Sequence, residues 1–168
     1  LLFGISPLDN IIWSFLYAYF VVAFYEHFFD EDKYKGKISK NFKHWINIAS
    51  FFMGLFFVFY LVDKKLLVIG YLYSILIFLF FVVPIVIICW NSPSLIKKIS
   101  SQGAYFSFLF LIFELIAVYL GHWEFPKANL IGWVELFGIG FAFEELIWLI
   151  LGAPAAICWY ELIADDEK

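Results

Sequence analysis

The stretch Phe141-Ala142-Phe143-Glu144-Glu145-Leu146-Ile147-Trp148 sets two adjacent acids at the mouth of a long apolar segment. No charge follows Glu145 until Glu161, 15 residues of Leu, Ile, Trp, Ala and small side chains. With its flanking turns such a segment is long enough to cross the hydrocarbon core of a bilayer. An ionised carboxylate at membrane depth costs roughly 2.5–3.5 kcal/mol even on lenient insertion scales, so a glutamate pair there needs a reason. One reason is structural, because acids at a helix N-terminus complement the macrodipole and sit near headgroups. The other is that the pair is a site.

The chain writes this pattern twice. Shifted by 135 residues, 9–33 lies over 144–168: Asp9 falls on Glu144, Trp13 on Trp148, Leu16 on Leu151 and Ala18 on Ala153. Tyr25-Glu26 falls on Tyr160-Glu161, Asp30 on Asp165 and Lys33 on Lys168. Internal repeats in membrane proteins place binding sites at the repeat interface. Asn10 stands where Glu145 does, so the two copies are similar but not equivalent.

Composition sets the class. Hydrophobic residues make up 64% of the 168-residue chain and aromatics 24%, with a mean hydropathy of +0.90. A soluble domain of this size cannot hide that much apolar surface, so the chain reads as an integral membrane protein. The net charge of −4 resides in loops and gives no reason to expect nucleic acid. The chain opens Leu1-Leu2-Phe3 without Met, reads as a fragment with helices upstream, and shows no signal-peptide pattern. Cys89 and Cys158 lie inside apolar segments without partner spacing, so neither a disulfide nor a metal site is expected.

Five spans are predicted, an all-α bundle: about 8–28, 45–62, 66–90, 104–120 and 143–163. Pro84 should kink the third. The connector 122–140, with Trp123, Pro126 and Trp133, is too aromatic for a solvated loop and should lie along the interface or fold back. All 11 basic residues are lysines. Lys33, Lys35, Lys37, Lys40, Lys43, Lys97, Lys98 and Lys168 fall on one side; Lys64, Lys65 and Lys127 fall on the other. The positive-inside rule makes the richer side cytoplasmic, with spans one and five parallel.

Glu114 lies in Phe110-Leu111-Ile112-Phe113-Glu114-Leu115-Ile116-Ala117, at least six residues from either end of its span. A glutamate is too short to snorkel out. It reads as a hydrogen-bonded structural residue or as a site acid able to hold a proton in a dry setting. Glu26 and Glu161, beside Tyr25 and Tyr160 at span ends, read as structural or interfacial. His27, His44 and His122 show no ligand spacing, and no cofactor or metal is expected.

These residues carry a resemblance. Gly121-His122-Trp123-Glu124-Phe125-Pro126, Ile131-Gly132, Gly138-Ile139 and Ala142-Phe143-Glu144-Glu145-Leu146-Ile147-Trp148, preceded by Glu114, resemble the signature of the membrane-integral lycopene cyclase domain family. Pro7-Leu8-Asp9-Asn10 looks like its first-repeat copy, with Ala142 in the place of a proline and Asp9-Asn10 in the place of an acid pair. The resemblance implies three helices per repeat, joined by a linker helix into seven spans. Residues 1–30 would end the first repeat, 31–65 would supply the linker loop and helix, and 66–168 would form the second repeat.

The resemblance also implies an activity, redox-neutral cyclisation of a linear polyene. An acid protonates the terminal double bond, the cation closes a ring, and a base removes a proton. Adjacent acids suit this, since like charges push their proton affinities apart. Glu144, Glu145, Glu114 and Asp9 are the candidate catalytic groups. Trp123, Trp148, Trp13 and Asn10 are the candidate substrate contacts, with aromatic faces beside a cation. The partners would be a lipophilic carotenoid, the bilayer and a like or related subunit. A carotenoid hydratase sharing the protonation step and a non-catalytic carotenoid-binding or partner subunit are the alternatives.

Overall fold

A computed structural model describes residues 8–29, 42–63, 70–122, 124–125 and 130–163. Its elements in order are α1 (Leu8–Phe28), α2 (Phe42–Val62), α3 (Leu72–Ile77), a π-helical turn (Phe78–Val82) and α4 (Val83–Asn91). A 3₁₀ turn (Pro93–Leu95), α5 (Ile96–Tyr119), strands β1 (Trp133–Leu136) and β2 (Ile139–Ala142), and α6 (Phe143–Ile163) follow. Three of its helical stretches, Leu72–Asn91, Pro93–Tyr119 and Phe143–Ile163, are long and apolar enough to cross a membrane. The protein is mostly helical.

α6 is the hub, packed against α1, α3, α4, α5 and the hairpin. Its middle, Gly152-Ala153-Pro154-Ala155, is buried and short-chained, which lets neighbouring backbones come close. A Cβ on Gly103 of α5 would lie 2.7 Å from Cγ of Pro154, and one on Gly152 would lie 2.9 Å from the Tyr17 hydroxyl.

α1 and α6 run parallel and in register at the repeat spacing. Trp13 meets Trp148 with ring centroids 5.3 Å apart, Tyr17 covers Gly152, and Tyr25 meets Tyr160 at 6.4 Å. In each of these rungs the two numbers differ by 135. Trp13, Tyr17, Val21 and Tyr25 fall every fourth residue, so they form one stripe along α1. In the middle rung a large side chain on α1, Tyr17, faces a glycine on α6, which identity alone does not reveal.

Two prolines sit inside the spans, and each leaves a carbonyl four residues earlier without its helical donor. Pro84 frees the Phe80 carbonyl, which accepts the Trp159 indole N–H from α6 at 2.8 Å. A π turn precedes Pro84, in which Val83 N–H reaches back to the Phe78 carbonyl. Pro154 frees the Ile150 carbonyl, 3.4 Å from the Ser107 hydroxyl. That hydroxyl has a single proton and a shorter bond to Gly103 at 2.7 Å, so Ile150 takes the weaker share. A neighbouring helix compensates each break, as membrane interiors require.

Two sequence expectations are corrected. The connector is not purely helix and loop: residues 133–142 form an antiparallel hairpin with Trp133 opposite Ala142 and Leu136 opposite Ile139. Its turn residues, Phe137 at φ 54° and Gly138 at φ 78°, are both left-handed, as a two-residue hairpin turn demands. The fourth helix begins at Ile96 rather than near 104, so Lys97 and Lys98 belong to its first turn. The lysine-rich loop 30–41, with Lys64, Lys65 and Lys127, lies outside the described residues.

Candidate functional site

β2 runs straight into α6, so the hairpin delivers Glu144 and Glu145 to the first turn of that helix. Phe143 N–H continues the ladder to the Gly132 carbonyl at 3.0 Å, and the next donor upstream, Ile131 N–H, meets Oε1 of Glu144 at 2.5 Å. The same oxygen accepts the Ser74 hydroxyl at 3.0 Å. Oε2 of Glu145 accepts the Tyr73 hydroxyl at 2.7 Å. Consecutive residues in the first turn of α3 therefore hold the two consecutive acids of α6.

The arrangement is buried. Glu144 is 0% exposed and Glu114 is 4% exposed, while Glu145 is half-buried. Glu114 is close enough for its charge to act on both Tyr73 and Glu145, and Glu144 also acts on Tyr73. Three carboxyl groups from α5 and α6 thus share one neighbourhood, with the Tyr73 phenol among them. Oε2 of Glu144 is buried with no hydrogen-bond partner among the described residues. Such an atom carries a desolvation cost of about 1–3 kcal/mol unless something meets it.

An aromatic wall lies one turn further along α6. Trp148 meets Trp13 at 5.3 Å, Tyr17 at 4.9 Å and Phe81 at 6.3 Å between ring centroids. Trp13 also stacks on Phe113, the neighbour of Glu114, at 6.2 Å and 17°. Trp13 and Trp148 are therefore brought together on the flank of the acids. Asp9 and Asn10 lie in the first turn of α1, but their side chains are outside the described residues, as is Trp123. Among the described residues no group of three His, Cys, Asp or Glu side chains is placed to hold a metal ion.

Tyr73 and Ser74 escape a reading that searches for acids. The signal was present, since they form a polar pair opening a run from Ile75 to Trp90 that holds no charged or amide side chain. No protein-family model, curated protein or solved structure matches the chain. What the site can do therefore rests on its geometry.

Proposed function

We propose that the chain is part of a membrane enzyme that cyclises the end group of a linear carotenoid such as lycopene. The observation that carries the reading is the convergence of Glu114, Glu144 and Glu145 around Tyr73 in a helical, apolar interior. In that reading Glu145 gives a proton to the terminal double bond, and the resulting cation closes a six-membered ring by forming one carbon–carbon bond. Glu144, held by two donors on one oxygen, faces the cation with the other and takes a proton from the adjacent ring carbon. Passage of that proton back to Glu145 resets the site, and the product is an isomer of the substrate. Glu114 shares the charge of the pair, and the Trp13–Trp148 wall lends π-faces to the cation. Asp9 keeps its proposed catalytic role near the rim, and Asn10 and Trp123 keep theirs as substrate contacts.

The wider reading goes with it: a five-span portion of a repeat-built seven-helix protein, with the loop at 30–43 and the segment 91–102 cytoplasmic. The in-register rungs of α1 and α6 support the repeat. A second reading, hydration of the same cation, draws support from the buried, unpartnered oxygen of Glu144, which suits a water molecule.

The test is conversion of lycopene by the complete purified protein in heavy water. Cyclisation yields an isomer carrying one deuterium per new ring and no added oxygen. A product heavier by one water makes the enzyme a hydratase. Retained, unconverted pigment makes it a binding protein.

A further inference from the structure

Glu144 and Glu145 are adjacent in sequence but are held differently. Glu144 receives two donors on Oε1, from Ser74 and from the Ile131 backbone. Glu145 receives the Tyr73 phenol on Oε2 at 2.7 Å. If Glu145 is the proton donor, its acidic hydrogen sits on Oε1, and charge appears across both oxygens as that hydrogen leaves. A phenol already seated on Oε2 then gains strength in the transition state without having to move, which is how a preorganised donor lowers a barrier. Tyr73 stands in the first turn of α3, two residues after Tyr71, which takes the left-handed conformation at φ 56° and caps the helix. Ser74, the next residue, is tied to Glu144, so the turn cannot rotate away from one acid without releasing the other.

We propose that Tyr73 is a positioning residue for proton transfer, its hydroxyl orienting Glu145 and taking up the charge that develops there. This rests on the cyclase reading above. The phenol touches the acid and not the polyene, so substrate affinity should not depend on it. Tyr73→Phe removes one oxygen and keeps the ring.

The experiment compares wild type and Tyr73→Phe in detergent with lycopene, in light and heavy water. Expected are a fall in kcat of roughly 10²- to 10³-fold, the range for losing one preorganised donor, a KM within about twofold, and a larger solvent isotope effect on kcat as proton transfer becomes more limiting. Unchanged kcat overturns the proposal, and so does a raised KM with unchanged kcat, which would make Tyr73 a substrate contact. If the variant fails to fold, 3-fluorotyrosine in place of Tyr73 keeps the shape and strengthens the donor; kcat should then rise with KM steady, and no change overturns the proposal. A wild-type protein that converts no polyene removes the cyclase reading and this role together. An active wild type with an unaffected variant removes only the role of Tyr73.

Discussion

The two ends of α6 hold buried acids in opposite ways. At its C-terminal end Glu161, 4% exposed, accepts the hydroxyl of Tyr25 from α1. That tie runs between the two repeat copies, within the Tyr-Glu pair that both of them carry. At its N-terminal end the donors to Glu144 and Glu145 come from α3 and from Ile131 just before β1, outside the α1–α6 pair. At that end the copies differ in one of the two acids, Asn10 falling on Glu145 in the alignment. Both copies keep the Tyr-Glu pair that fastens the helices, and only the second copy carries two adjacent acids at its start. A buried acid that only fastens needs one good donor, whereas an acid that exchanges protons needs other acids near it and an oxygen left open. Glu144 has both.

The largest expected effect follows from that contrast. Glu145→Gln, near isosteric and easier to bury than the acid, should cut turnover by roughly 10²- to 10⁴-fold, the range for a general acid, with the helical signal and detergent behaviour unchanged. Glu161→Gln should keep turnover within a few-fold. If the two substitutions reduced activity equally, the division between the ends would be wrong.

A smaller effect concerns stability. Tyr25→Phe removes the phenol donor from the buried Glu161 carboxyl, a hydrogen bond to a charged or acidic group worth about 1.5–3 kcal/mol. Thermal unfolding in detergent should show a lower midpoint, while the turnover of the folded fraction stays near wild type. A variant as stable as wild type would mean that another group replaces the phenol, and that the tie does not fasten the helices.

The contrast between the ends was partly legible in the sequence, and the missed parts have physical reasons. Glu144, Glu145 and Glu114 declare themselves because charge in an apolar run is costly wherever the chain folds. The pairing of α1 with α6 was legible through residues identical at the 135-residue spacing, Trp13 with Trp148 and Tyr25 with Tyr160. Tyr17 against Gly152 was not, because complementary shapes do not look alike in an alignment. The hairpin was hidden by Phe137, which is 91% exposed and takes a left-handed conformation that a bulky residue seldom adopts. Composition alone places the connector along the interface or folded back, without a strand in it. Lys97 and Lys98 suggested a loop, yet long lysine stems at a span end can lie along the helix and keep their charge at the surface. Tyr73 and Ser74 acquire meaning only once folding sets α3 beside residues 70 positions away.

The smallest expected effect tests whether the C-terminal half of α6 is fastened by more than Tyr25. Trp159 donates its indole N–H to the Phe80 carbonyl at 2.8 Å, the carbonyl that Pro84 leaves without a helical donor. Trp159→Phe keeps an aromatic ring beside Phe80 and removes only the donor, so the loss should be about 0.6–1.5 kcal/mol, within the range of side-chain hydrogen bonds in membrane proteins. The same substitution in a Pro84→Ala background should cost less, because the restored backbone N–H at position 84 can serve Phe80 itself. The difference between the two costs, read from a double-mutant cycle of unfolding free energies, should be about 0.5 kcal/mol or more, and turnover should stay within about twofold throughout. An equal cost in both backgrounds would show that the indole helps through its ring and not through the opened carbonyl. A loss of turnover with Trp159→Phe would extend the working site to the end of α6 assigned here to fastening.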